Sequence, residues 1–458
     1  MINYLKTVLM AGIILCTSSN YAQTFSGNID LGGQELKLIF MLNFQKNTGT
    51  LDVPAQYAFW MDLSSLVRSN DNIKISIDGI RASFDGKIFG NVDSISGTFH
   101  QYGMNFPLTL NPDENYQPPK RSQLLEPPYP YYTEDITFVN EKAGIKLAGT
   151  ITAPDTKGKY PAVVFITGSG PQDRDELIVG HKPFRVIADY LARHGIASLR
   201  FDDRGVAKSE GDFASATSLD FASDAAAGVK ALATYPFIDT KKLGVIGHSE
   251  GGLIVPIAAS LSDQIKFIIS LAGTGVDGRK QMHEEITLVA VAEGKSPEDA
   301  QTLWNLYEAC FTAILANPDL AAKQVDSTYN AFFKDFTPAE KERLLKYPQF
   351  HKSQFMQLTS KWWIKFLTLD PAPYYEKLKV PALGIWGGKD LEVPPWVHVP
   401  PIITALEKAG VYYRLEILAS INHMFQKSST GALHEFYQNE ITVEPEIMES
   451  VVRFIKGL

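Results

Sequence analysis

Cysteine is nearly missing. Only Cys16 and Cys310 occur in 458 residues, too few for a disulfide scaffold or for a zinc site of the usual Cys/His spacing. Positive charge is also scarce: 43 Lys and Arg stand against 51 Asp and Glu, and the net charge of −8 leaves no basic surface for nucleic acid. There is no Walker-type phosphate loop and no dinucleotide fingerprint, so neither a metal nor an organic cofactor is expected. What remains is an ordinary folding composition, 45% hydrophobic and 21% charged, on a chain too long for one typical domain.

The first segment, "MINYLKTVLMAGIILCTSSNYAQ", has one early cation (Lys6), an apolar run from Val8 to Cys16, then small and polar residues up to Ala22. The run is too short to span a bilayer, so residues 1–22 read as a cleaved export signal. The expected location is periplasmic or secreted, with no stable membrane insertion after removal. A lipid anchor on Cys16 competes with this, although Leu15 stands where a small residue normally precedes such a cysteine. Cleavage would leave Cys310 without an internal partner.

Residues 23–117 alternate apolar and polar positions. "LKLIFMLNF" carries a strand pattern, and "SIDGIRASFDGKIFGNVDS" has two Asp-Gly pairs among β-branched and aromatic residues, which is hairpin chemistry. A small β-rich N-terminal domain follows from this. It holds no cluster of nucleophile and base and reads as a packing or access-shaping module. Residues 118–132 contain five prolines between Pro118 and Pro130 and read as a stiff linker.

From residue 133 the texture changes. "YPAVVFITGSG", "KLGVIGHSEGG", "FIISLAG" and "VPALGIWGGKD" are short apolar runs ending in glycine, separated by helical patterns. Buried parallel strands look like this, because helices cover both faces. Residues 274–372 interrupt the alternation with helical sequence only and read as an inserted helical lid. Within this frame "IGHSEGG" places Ser249 at a strand-to-helix turn. Side chains two residues to either side would collide there, which accounts for Gly247 and Gly251.

These motifs resemble the α/β-hydrolase fold family over roughly residues 133–458. The front, with a β-rich domain before "GSGPQDRDE", "DDRGVAKSEGDF" and "GHSEGG", is similar to a group of bacterial carboxylesterases. The turn departs from that pattern in having Ala207 where glycine is expected. The resemblance implies an α/β fold, an α/β-hydrolase sheet with its lid, and a triad in the order nucleophile, acid, histidine. "ALGIWGGKD" ends in Asp390 and "LEILASINHMF" leads into His423, so the implied triad is Ser249, Asp390, His423. Ser249 would attack a carbonyl carbon, His423 would take and return the proton, and Asp390 would orient the imidazole. The oxyanion hole would use the N–H of Glu250 and one from "TGSG", Ser169 first and Gly168 next; Pro171 has no N–H.

Several other residues compete with these. Glu392 lies two residues past Asp390 and competes as the acid; the strand-end position favours Asp390. His248 reads as packing, His181 as a possible pocket residue, and Asp202, Asp203 and Arg204 as braces of a turn. Trp362 and Trp363 read as core more than as substrate platform, while Trp304, Tyr307, Phe311, Phe355 and Trp362 are candidates for an apolar pocket under the lid. Three functions stay open: a serine esterase acting on small to medium carboxylic esters, a peptidase using the same triad, and a binding protein without turnover. A peptidase that holds a free α-amine needs acidic side chains. Glu284 and Glu285 are the candidates, unless they serve the first turn of a helix. The expected partner is a small-molecule ester; the oligomeric state is unknown.

Overall fold

A computed structural model describes residues 22–458, apart from residues 34, 57 and 126. The expected export signal, with Cys16, lies outside the described residues except for Ala22. The described residues form two compact units that divide between Pro118 and Pro119.

The first unit is a nine-stranded antiparallel sheet. Its first strand, Gln23–Asp30, lies inside the sheet, paired with Glu35–Asn43 on one side and with the central strand Met104–Pro112 on the other. Phe40, Leu42, Leu51, Phe84, Ile95 and Leu110 are fully buried in its core. Both faces of "LKLIFMLNF" are covered, since Ile39 and Met41 are buried too. Only the first of the two Asp-Gly pairs turns the chain. Asp78 and Gly79 lie in a single 3-10 turn, whereas Asp85 and Gly86 sit inside the strand Ala82–Phe89. Gly86 there faces Gly97 across the ladder, and a Cβ on Gly97 would approach the Gly86 Cα to 2.5 Å. Close backbone packing, not a turn, explains that glycine. The chain reverses further on, where Asp93 N–H donates to Phe89 O at 2.9 Å and Gly90 takes a positive φ of 62°.

The second unit is built on eight strands, numbered here β1 (Tyr132–Asn140), β2 (Ile145–Ala153), β3 (Tyr160–Ile166), β4 (Ala197–Phe201), β5 (Ile238–His248), β6 (Ile268–Leu271), β7 (Ala382–Gly387) and β8 (Tyr413–Leu418). Their order is β1-β2-β4-β3-β5-β6-β7-β8, parallel from β4 onward and antiparallel at the β1–β2 and β2–β4 pairs. This is the α/β-hydrolase sheet. Strands β4, β6 and β7 are buried at every position, as strands covered on both faces must be. Helix Pro183–Arg193 packs with Pro445–Gly457, and Ser218–Leu232 packs with Glu250–Leu261. Every loop that follows a parallel strand opens at the same end of the sheet, where a crevice forms.

Between β6 and β7 the chain runs through helices alone, from Gly278–Ala292 to Ala372–Glu376. This insert has its own aromatic core: Tyr307 and Phe355 stand 4.5 Å apart, and Phe311 stacks on Trp363 at 6.0 Å. Phe311 and Phe355 are fully buried, so they fill the lid instead of lining a pocket, a correction to the sequence reading. The proline-rich segment belongs to the second unit. Arg121 donates to the carbonyls of Val179, Tyr437 and Asn439, and Gln123 binds Thr442 N–H and Val443. A side chain making four carbonyl bonds, counting Lys120, docks the segment on the hydrolase unit instead of leaving it a free connector.

Candidate active site

Strand β5 ends at His248 and the helix Glu250–Leu261 starts one residue later, leaving Ser249 alone at the corner. Its backbone takes φ 54° and ψ −117°, a strained state for a residue with a Cβ. The glycines on either side are steric necessities. A Cβ on Gly247 would lie 2.2 Å from Gly251 O, and one on Gly251 would lie 2.1 Å from Ile166 O. The corner is pinned by Ser249 N–H donating to Leu271 O at 2.9 Å.

Asp390 follows β7 and is fully buried. Its Oδ1 accepts from the backbone N–H groups of Glu392 (2.9 Å) and Val393 (2.7 Å), which turns Oδ2 toward His423 Nδ1 at 2.8 Å. His423 lies in the loop after β8 and is 4% exposed. Glu392 stands on the other side of the ring, with Oε2 3.9 Å from Nε2. The two carboxylates therefore hold different places: Asp390 meets Nδ1, and Glu392 faces the Nε2 edge. Burial opposes a charged imidazole, but Asp390, Glu392 and Glu285 outweigh it and push the His423 pKa above the ordinary histidine value. Glu285 joins this group through Gln281, whose Nε2 donates to Glu285 Oε2 (3.2 Å) and to Glu392 O (2.7 Å). Burial first, and then the neighbouring Glu392 carboxylate, raise the Glu285 pKa to about 8.

The loop after β3 carries the expected second oxyanion donor and is held from behind by buried acids. Thr167 Oγ1 donates to Asp203 Oδ1 at 2.7 Å, and Gln172 N–H donates to Asp203 Oδ2 at 3.0 Å. Gly168 N–H donates to Glu176 Oε1 at 2.6 Å. That bond removes Gly168 as an oxyanion donor, leaving Ser169 from the "TGSG" pair, whose N–H is in no hydrogen bond among the described residues. Gly168 still matters for space, because a Cβ there would approach the Ser249 Cβ to 3.3 Å. Glu250, whose N–H is the other expected donor, has a buried side chain. Its Oε1 accepts from Ser218 Oγ (2.6 Å) and from Trp362 Nε1 (2.7 Å) of the insert. Burial raises its pKa, against these bonds and that of the Ser169 hydroxyl. The insert thus touches the residue next to Ser249 directly.

The remaining candidates find other places. Asp202 pairs with Arg174 and Arg204 with Asp224, bracing the turn. Ala207 adopts φ 46°, the left-handed state that favours glycine. His181 does not line a pocket; it is fully buried between Thr442, Phe436 O and Gln426. The Glu284 carboxylate meets the neighbouring His283 at 3.1 Å. Neither Glu284 nor Glu285 is in a first helical turn, because the helix begins at Gly278 and Asp277 caps it. Trp362 stacks on Phe366 at 4.8 Å. Two further residues belong to this region: Glu176, to which the sequence reading gave no role, and His248, which it read as packing. Cys310 is a free, fully buried thiol whose pKa burial pushes up to about 12. Among the described residues no group of three or more His, Cys, Asp or Glu side chains is arranged to hold a metal, and no helix is long and apolar enough to cross a membrane.

Residues 143–399 match the family model described as X-Pro dipeptidyl-peptidase (S15 family). The chain is also similar to esterase EstD of Thermotoga maritima, 26% identical over 339 residues, which is 73% of this chain and 72% of that one. Among solved structures it is similar to the α/β hydrolase GrgF of a Penicillium species (17% identity, TM-score 0.43, 71% of this chain and 98% of that one). It is likewise similar to the Pyrococcus furiosus esterase Pf2001 (17% identity, TM-score 0.42, 75% and 99%).

Proposed function

Since the chain belongs to the X-Pro dipeptidyl-peptidase (S15) family, we propose that it is a serine hydrolase that cleaves small to medium carboxylic esters with Ser249, His423 and Asp390. The observation that carries this is the buried Asp390–His423 pair, 2.8 Å apart, on the loops after β7 and β8, at the end of the sheet where Ser249 is held in its strained corner. In this reading Ser249 Oγ attacks the carbonyl carbon as His423 Nε2 takes its proton. The negative oxygen is received by the N–H groups of Glu250 and Ser169, each worth about 3–4 kcal/mol in comparable sites. Collapse breaks the bond to the alcohol, which leaves with the proton from His423. Water then repeats the sequence on the acyl-enzyme. Export to the periplasm or medium is part of the proposal, resting on the first 22 residues.

The esterase choice is supported by the name of the Thermotoga relative and by chemistry, since an alkoxide leaves with less help than an amine. The peptidase reading has its own support in the family's description and in Glu285 and Glu392, two acids beside His423 of the kind that could hold a free α-amine. Purified protein tested on p-nitrophenyl acetate and butyrate against aminoacyl p-nitroanilides decides between them. Efficient ester hydrolysis with weak anilide cleavage is expected. Anilide cleavage that exceeds both esters, and is lost in Glu285→Gln, would establish the peptidase instead.

A further inference from the structure

His248 and Glu176 lie against the proposed machinery without belonging to it. Glu176 is fully buried and has φ 55°, a conformation that a residue with a Cβ holds only when its surroundings impose it. Its Oε1 accepts from Gly168 N–H at 2.6 Å and stands 3.2 Å from His248 Nδ1. His248 Nε2 in turn donates to the backbone carbonyl of His423 at 3.0 Å, and the two imidazole rings lie 4.8 Å apart. Phe425 packs on the His248 ring from another side, at 5.8 Å. An unbroken path therefore runs from the oxyanion loop, through the residue next to the nucleophile, to the backbone of the histidine.

We propose that His248 and Glu176 form a second histidine–carboxylate pair that positions His423 and the oxyanion loop in one frame. Asp390 fixes the side chain of His423 through Nδ1, and His248 fixes its backbone through the carbonyl; a ring held at both ends has little freedom to turn from Ser249. At the other end Glu176 holds Gly168, and with it the direction of the following Ser169 N–H. Both are positioning residues, touching no reacting atom. Glu176 closes the stretch "GSGPQDRDE" and His248 lies inside "GHSEGG", and each bond is between buried groups, where a hydrogen bond sets geometry most firmly.

This rests on the Ser249–His423–Asp390 reading, and the test keeps the two apart. His248→Phe retains a ring over His423 and deletes both hydrogen bonds. Glu176→Leu deletes the acceptor at similar volume, and Glu176→Gln returns an acceptor for Gly168. For each folded variant, kcat and KM for p-nitrophenyl butyrate are measured together with the rate at which a fluorophosphonate labels Ser249. Small misplacements of reacting groups cost up to about 100-fold, so kcat in His248→Phe and Glu176→Leu should fall about 10- to 100-fold, with KM changed by less than about twofold. Labelling should slow by the same factor, since it needs the same proton transfer, and Glu176→Gln should recover part of the loss. A purely structural role would lower the melting temperature and leave kcat and labelling of the folded protein unchanged. That result in either deletion variant overturns the proposal. Wild-type protein that takes no label at Ser249 would sink the underlying reading, and the proposal with it.

Discussion

Removing the charge of Glu392 should make the enzyme work at lower pH. Its Oε2 lies 3.9 Å from His423 Nε2, and its side chain is 26% exposed. A full charge pair at that distance is worth about 4 kcal/mol at an effective dielectric constant near 20 and about 1 kcal/mol in water. The partial exposure lowers the first figure. So does burial of Glu392, and then the nearby Asp390 carboxylate, which raise its own pKa. About 1.4 kcal/mol is a fair value, equivalent to about one pH unit. The sign follows from the roles. His423 serves as base only when neutral, and Glu392 raises its pKa, so the wild type must reach a higher pH to free the base. Glu392→Gln should move the acid limb of kcat/KM for p-nitrophenyl butyrate down by about one unit. Glu285→Gln should move it the same way by less, because Glu285 is largely protonated below about pH 8. An acid limb that stays in place in both variants, or moves upward, refutes the electrostatic reasoning.

Asp390→Asn should reduce kcat by about 10³- to 10⁴-fold, since an amide can hold the imidazole in the wrong tautomer; a mild effect there beside a severe one for Glu392→Gln would exchange the two acids. Trp362→Phe keeps the stacked ring and removes one donor from the buried Glu250 carboxylate. It should cost about 1–3 kcal/mol in urea unfolding with an unchanged slope. Ala207→Gly should stabilise by about 1 kcal/mol, because φ 46° is strained for alanine; a lower melting temperature would count against that account.

The architecture was legible because the sheet writes itself in apolar runs that end in glycine, and the Ser249 corner because its close packing admits only glycine at 247 and 251. Asp390 and His423 were reachable only through the family resemblance, which implies an acid and then a histidine in loops past late strands. What stayed hidden depends on long-range contact. Glu176 sits among Asp173, Arg174 and Asp175, all partly buried, and Arg174 and Asp175 pair with Asp202 and Arg200; nothing local tells which acid of the run meets His248. The second Asp-Gly pair misled for a related reason, since Gly86 is selected by its cross-strand partner Gly97 and not by a turn. The aromatics of the insert carry a periodicity that reports burial, but not whether the buried face meets substrate or other helices.

The central claim is that ester hydrolysis proceeds through Ser249. The most direct measurement titrates the purified protein with a fluorophosphonate, follows p-nitrophenyl butyrate hydrolysis, and maps the modified peptide. One label per active chain on Ser249, activity lost in proportion to labelling, and a Ser249→Ala variant that is folded, unlabelled and inactive are predicted. Hydrolysis that persists after complete labelling, or in folded Ser249→Ala, would contradict the account.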